Sequence, residues 1–312
     1  MGFASEWVSL VLRCIKMVSY SVVINGSVGD SFVPSRGLRQ GDPLSPFLFL
    51  ICSEGLSSLL RHSSSIDNII GIRITRGAPL ISHLFFADDT FIFCEASTRG
   101  AIKITDILQI YARCLEQVIN MEKSSIFFSS NVLEDTASDV RRILGVRHNI
   151  KPEKYLGLPL IVGRNRRKAF MALRDRFIKS LSIRCVRVLS QGGKEVFIKS
   201  ILQAIPIYSM SCFLLSKSFC HELEQIIARF WWHHSQDRRG IHWCSWPDLC
   251  ITKDSRGLGF RDFAKFNVAL LAKQGWRLIQ NPSSLVARLL RARYYPDSTF
   301  LKARLGASPS LT

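Results

Sequence analysis

Residues 80–94 constrain the fold of this chain most. Leu80–Phe86 and Phe91–Cys94 are apolar runs of strand length, and between them stands Ala87-Asp88-Asp89-Thr90. Two β-forming runs with so short a break predict strands joined by a turn. The carboxylates of Asp88 and Asp89 then sit together at that turn. Unpaired carboxylates are costly to bury, so the pair is either an ordinary exposed turn or a place for a cation. Oxygen donors at a tight turn suit Mg²⁺, which keeps water and substrate phosphates in its shell.

A second signal lies about 45 residues earlier, in Arg36-Gly37-Leu38-Arg39-Gln40-Gly41-Asp42-Pro43-Leu44-Ser45-Pro46. Ser45 at the cap and Pro46 at the first helical position predict a helix running to about His62. Two glycines allow a backbone to approach a ligand closely, and a helix N-terminus favours phosphate. Arg36 and Arg39 add positive charge, and Gln40 can hydrogen-bond a base or sugar. The same residues also serve as a plain loop and cap.

The remaining pattern is mixed. Met1–Met17 has the period of an amphipathic helix. Tyr20–Ile24 and Ser31–Val33 flank the hairpin signal Asn25-Gly26. Gly71–Thr75 and Lys123–Ser129 are further expected strands, and 98–118 an expected helix. After about residue 150, helices are expected at Lys168–Leu189, Lys194–Tyr208, His221–Phe230 and Phe263–Ile279. Strands interleaved with helices predict an α+β fold, an antiparallel sheet with helices on one face followed by a mostly helical region.

In this order and spacing the motifs resemble the reverse transcriptase of non-LTR (LINE-type) retrotransposons, most closely the plant lineage. Ser35–Pro46 is similar to that family's nucleotide-pocket motif, and Phe86-Ala87-Asp88-Asp89 to its catalytic aspartate box. Gln117–Ser124 is similar to the following palm motif, and Tyr155-Leu156-Gly157-Leu158-Pro159-Leu160 to the primer grip. Gln191-Gly192-Gly193-Lys194 and Ile198–Leu202 resemble the thumb. Ile241-His242-Trp243, Gly257–Asp262 and Ala272–Arg277 resemble the stretch after it. The resemblance implies nucleotidyl transfer by two metal ions, Mg²⁺ or Mn²⁺, held by Asp88 and Asp89. It implies an RNA template, a DNA primer and dNTP as partners. Arg39, Gln40 and Gly41 would then line the nucleotide and template base, with Phe86 under the primer end. Lys123 would serve the leaving pyrophosphate. Tyr155, Leu156 and Gly157 would grip the primer.

The resemblance divides the chain into a truncated palm at 1–128, a primer-grip-like connection and basic thumb at 129–215, and a Trp-rich helical region at 216–312. It also implies a third carboxylate on a strand just upstream of Met1, and nothing in Met1–Ser35 supplies one. Met1 thus reads as an internal methionine of a longer frame. The expectation is a fragment with little or no polymerase activity by itself. A non-catalytic RNA or RNA/DNA-hybrid binding protein and an inert translated relic remain the alternatives.

Charge bears on that choice. The net charge is +18, yet residues 1–150 balance at 14 Lys+Arg and 14 Asp+Glu, whereas 151–312 hold 28 against 10. Solvated surfaces usually mix their signs, so the second half points to a polyanion. Arg164, Arg166, Arg167, Lys168 and Arg174 beside Phe170, Leu173 and Phe177 suit a thumb helix on a phosphate backbone. Five of six Trp lie between 231 and 276 and fit core packing better than base stacking. His233, His234, His242, Cys244 and Cys250 match no standard zinc spacing. No apolar run reaches transmembrane length, Met1–Tyr20 is interrupted by Glu6, Arg13 and Lys16, and nine Cys lack any CxxC pair. These features predict no membrane partner and an intracellular protein, nuclear or cytoplasmic.

Overall fold

The computed structural model describes residues 2–35, 37, 40–66, 69–115, 119–146, 154–159, 162, 169–182, 189–232 and 241–304. The chain is α+β and forms two compact units, 1–72 with 80–150, and 73–79 with 151–312.

The first unit opens with α1 (Ser5–Lys16), none of whose residues is buried. The hairpin of β1 (Tyr20–Ile24) and β2 (Ser27–Phe32) follows, turning at Asn25-Gly26 with φ of 50° and 84°. Then come α2 (Ser45–Ser65), the hairpin of β3 (His83–Phe86) and β4 (Asp89–Ile92), α3 (Thr98–Leu115) and α4 (Glu134–Leu144). Leu56 and Leu60 of α2 meet Ile69 and the Ile104–Ile107 stripe of α3 in one core. Phe85, Ile92 and Cys94 pack against it, so one face of the β3–β4 hairpin rests on the helices.

Three expectations change here. Among the described residues the strands form separate two-stranded sheets, not one palm sheet. Gly71–Thr75 contributes only a single bridge, Ile72 to Ile81. Lys123–Ser129 is not a strand. The Asn120 side chain accepts the Lys123 N–H at 3.0 Å and the Ser124 hydroxyl donates to the Asn120 carbonyl at 2.9 Å, so local turn bonds take groups a ladder would need. In this first unit one helix was missed, α4, as the helices at Trp246–Cys250 and Leu285–Tyr294 were in the second. The acidic first turn of α4, its basic last turn and left-handed Gly145 at φ 68° are ordinary helix-end signals.

The second unit begins with the hairpin of β5 (Lys154–Tyr155) and β6 (Leu158–Pro159). It continues through α5 (Met171–Leu181), α6 (Gln191–Phe197), a π-helical turn (Ile198–Leu202), α7 (Ile207–Cys212) and α8 (Lys217–Trp232). α9 (Trp246–Cys250), α10 (Phe263–Gln280) and α11 (Leu285–Tyr294) complete it. The helix expected over Lys194–Tyr208 is broken because Pro206 has no N–H and disfavours helix before it. Phe219, Leu223, Ile227 and Trp231 recur every four residues along α8 and form the spine of the core. Phe177 of α5 and Phe263 of α10 close on it edge to face, centroids 6.3 Å apart. This one core runs from Phe170 to Phe263, through residue 215.

Two buried polar side chains bind the helices. Asn267 of α10 donates to the carbonyls of Met210 (2.7 Å) and Phe213 (2.9 Å) and accepts the N–H of Leu215 (2.8 Å). Glu224 of α8 accepts the N–H of Phe263 at 2.7 Å, while Asp262 caps α10 by accepting from Lys265 N.

Candidate active site

The register of β3 and β4 pairs His83 with Ile92 and Phe86 with Asp89, leaving Ala87-Asp88 as a two-residue loop. Asp89 is therefore the first residue of β4, and Asp88 lies in the turn. Ala87 has φ 49°, a left-handed conformation that L-residues other than Asn and Asp rarely adopt. Side chains alternate: His83 and Phe85 are half-buried, whereas Phe86 is 56% exposed. Both carboxylates are exposed and make no hydrogen bond or ion pair among the described residues.

His83, which sequence reasoning missed, fastens the hairpin. Its Nε2 lies 2.9 Å from the Ser57 hydroxyl on α2, and its Nδ1 2.9 Å from Ser82 Oγ. Burial, reinforced by the Arg61 cation, holds its pKa below the usual imidazole value, so at neutral pH the ring is a neutral hydrogen-bonding group. A lone His between Ser82 and an apolar run carried no signal for this, because Ser57 is 26 residues away.

The glycine-bearing loop approaches α2 from the other side of the sequence. Gly41 has φ 89° and Gly37 φ 85°, so a side chain at either position would be strained. Gln40 is exposed. The helix cap differs from expectation: Ser45 is already helical, the cap position falls on Leu44, and the Asp42 carboxylate accepts the Leu44 N–H at 2.8 Å. Arg36 and Arg39 lie outside the described residues. Lys123 is exposed in the turn after Asn120. No hydrogen bond or ion pair joins Gln40, Gly41 or Lys123 to the two aspartates among the described residues.

In the second unit, Tyr155 pairs with Leu158 across a turn in which Leu156 and Gly157 both have positive φ, 51° and 78°. That is the hand of a tight hairpin turn. Gly157 lies close to the Arg176 guanidinium of α5. Arg164, Arg166, Arg167 and Lys168 lie outside the described residues. Arg174 is ion-paired with Glu222 of α8 at 2.8 Å, so its charge is already partly balanced. Trp231 is in the core and Trp246 stacks on Phe260 at 5.4 Å, but Trp243 and Trp276 are 78% and 59% exposed.

The donor chemistry of Asp88 and Asp89, oxygen only and open to solvent, fits a hard divalent cation. Among the described residues no group of three or more His, Cys, Asp or Glu is gathered to hold a metal. His233 and His234 lie outside them. Cys250 and Cys220 are packed thiols, pushed up to about 12 and about 11 chiefly by burial.

Comparison with known proteins agrees with the motifs. Residues 2–160 match the profile described as reverse transcriptase (RNA-dependent DNA polymerase), and the chain belongs to that family. Polymerases of this family act on a nucleic-acid template with deoxynucleotides and depend on divalent metal. The chain is 48% identical over 108 residues to an uncharacterized mitochondrial protein of Arabidopsis thaliana, covering 34% of this chain and 70% of that one. It is 30% identical over 138 residues to a putative ribonuclease H protein of Arabidopsis thaliana, covering 44% of this chain and 22% of that one. It is 41% identical over 80 residues to a retrovirus-related Pol polyprotein from a type-2 retrotransposable element of Drosophila melanogaster, covering 26% of this chain and 7% of that one. The chain thus spans less than a quarter of the two longer relatives. No helix among the described residues is long and apolar enough to cross a membrane.

Proposed function

We propose that this chain is the part of a non-LTR retrotransposon reverse transcriptase that carries the catalytic hairpin. The observation behind this reading is the turn itself: two adjacent, exposed carboxylates, unpaired among the described residues, at the end of a hairpin whose other end is fastened to α2. Asp88 and Asp89 would hold Mg²⁺ or Mn²⁺. When bound, that metal supplies an activated primer hydroxyl and neutralises phosphate charge. Arg39, Gln40 and Gly41 would receive the nucleotide and template base, Gly41 because its backbone is bare. Phe86, open to solvent, would carry the primer end. Lys123 would place its ammonium on the leaving pyrophosphate. Tyr155, Leu156 and Gly157 would hold the primer, and Arg164, Arg166, Arg167, Lys168 and Arg174 its backbone, Arg174 after exchanging Glu222 for phosphate. On this reading 1–128 is palm, 129–215 primer grip and thumb, and 216–312 a C-terminal helical region. The working place is inside the cell, in nucleus or cytoplasm.

Two carboxylates are short of a two-metal ligand set, so the expected result of primer extension by this chain on an RNA template with Mg²⁺ and dNTPs is little or none. Electron paramagnetic resonance with Mn²⁺ and dNTP should still report a bound ion that Asp88→Asn loses. Equal Mn²⁺ binding by both chains would sink the assignment of Asp88. Extension by the unmutated chain, abolished in Asp88→Asn, would refute the expected inactivity. The charge excess of 151–312 favours a second reading, RNA binding without synthesis, which salt-dependent binding with no Asp88-dependent step would select.

A further inference from the structure

A strongly one-sided charge lies on the last two helices of the second unit. Residues 263–304 hold eight Lys and Arg against one carboxylate, Asp297. All eight are exposed. Only Lys265 makes an ion pair among the described residues, with Asp262 at 3.3 Å. A surface that merely needs solubility intersperses both signs.

α10 presents this charge on a defined face. Phe263, Asn267 and Gly275 are its buried side, and Gly275 is bare because the Phe300 ring lies where a Cβ would stand. The opposite face carries Lys265, Ala269, Ala272 and Trp276, spaced four, three and four residues apart, hence in one stripe. Trp276 is 59% exposed, with small alanines on the two preceding turns. Lys273 and Arg277 flank it, and Arg277 is steadied by a 3.2 Å bond to Gln274. Arg288 and Arg291 follow on exposed positions of α11.

An open indole beside Lys273 and Arg277, which make no ion pair among the described residues, matches a chain that alternates phosphate and flat ring. Base stacking on the indole needs bases that are not already stacked in a duplex. A membrane would ask for a broad apolar face, whereas Val268, Ala272, Trp276 and Ile279 make a narrow one with Lys265, Lys273 and Arg277 along its border. We propose that the Trp276 face of α10, with the cations of α11, is a binding surface for single-stranded RNA. It lies outside residues 2–160, which match the family. The choice of RNA over DNA rests on the polymerase reading; the surface itself does not.

The test is fluorescence anisotropy of a labelled 20-nucleotide oligouridylate with the full chain. Trp276→Ala should weaken binding about tenfold, the usual scale for one lost stacking contact. Lys273→Ala/Arg277→Ala should lower the slope of log affinity against log salt by about 1.4, from two phosphate contacts at ~0.7 each. Asp88→Asn should bind as the unmutated chain does, which separates this surface from the catalytic reading. On the unmutated chain, 4-thiouridine cross-linking should label the tryptic peptide Gln274–Arg277. Unchanged affinity and slope in both surface variants would overturn the proposal. So would tight, Trp276-dependent binding to phosphatidylserine vesicles with none to the oligonucleotide, or equal Trp276-independent binding of an RNA duplex.

Discussion

Replacing Asn267 by alanine should cost the second unit about 3 kcal/mol. The side chain is 1% exposed and satisfies three backbone groups at the end of α7: two carbonyls and the Leu215 N–H. Truncation leaves the N–H buried without an acceptor, at roughly 1–3 kcal/mol. The two carbonyls lose one bond each, at roughly 0.5–1 kcal/mol apiece. Asn267→Asp separates hydrogen bonding from packing. It preserves the volume and the acceptor but sets a carboxylate against two carbonyl oxygens, so at pH 7 it should cost more than alanine. Acidification should recover part of that loss, because a protonated carboxyl donates once. Urea unfolding followed by tryptophan emission is the assay, since five of the six Trp lie at 231–276 in this unit. With a slope of about 2 kcal/mol per molar, the alanine midpoint should fall by ~1.5 M. A loss below ~1 kcal/mol, or an aspartate variant as stable as the asparagine chain at pH 7, would refute the reasoning.

Other expectations follow from the same contacts. Burial, with Asp262 adding to it, raises the Glu224 carboxyl above its usual pKa. A raised folded-state pKa means the group stabilises the fold below its unfolded value near 4.5 and loses that contribution as pH rises through the folded one. Glu224→Gln, which can still accept the Phe263 N–H, should therefore gain on the unmutated chain as pH rises from 4.5 to 7; urea midpoints that stay parallel across that range speak against it. Cys220 and Cys250, with thiols near 11 and 12, should resist a disulfide reagent at pH 7.5 until unfolding, while exposed Cys14 and Cys114 react at once. Leu60→Ala, at a fully buried position between α2 and α3, should destabilise the first unit by about 2–5 kcal/mol in circular-dichroism melts.

What the sequence made legible was local. The β3–β4 turn, the α2 start, the Asn25-Gly26 turn and the α8 and α10 helices rest on signals within a few residues. What it hid was a matter of partners. Lys123–Ser129 has the composition of a strand, but whether it pairs depends on a neighbour no local pattern names. α4 carries few apolar residues, since α3 covers only its Ala137 and Val140 side. Arg174 looks free in the sequence and is balanced by Glu222, 48 positions away. The core was legible as apolar helices, yet its continuity through residue 215 appears only when α5 and α10 close on α8.

The candidate site was proposed from local signals, and the structure ties two of its segments to one helix. The loop and the hairpin are both anchored to α2. The glycine-bearing loop ends where Asp42 meets the first turn of α2, and the hairpin is fastened by His83 to Ser57 of the same helix. Ser57 is twelve residues from Ser45, or ~18 Å along the axis. A helix holds that separation with little play, so the loop and the hairpin are positioned by α2 rather than by each other. That accounts for the absence of any direct bond between Gln40 or Gly41 and the aspartates among the described residues. On the reading proposed above a nucleotide would lie between them, and contacts bridging the loop to the carboxylates would occupy the space that it requires.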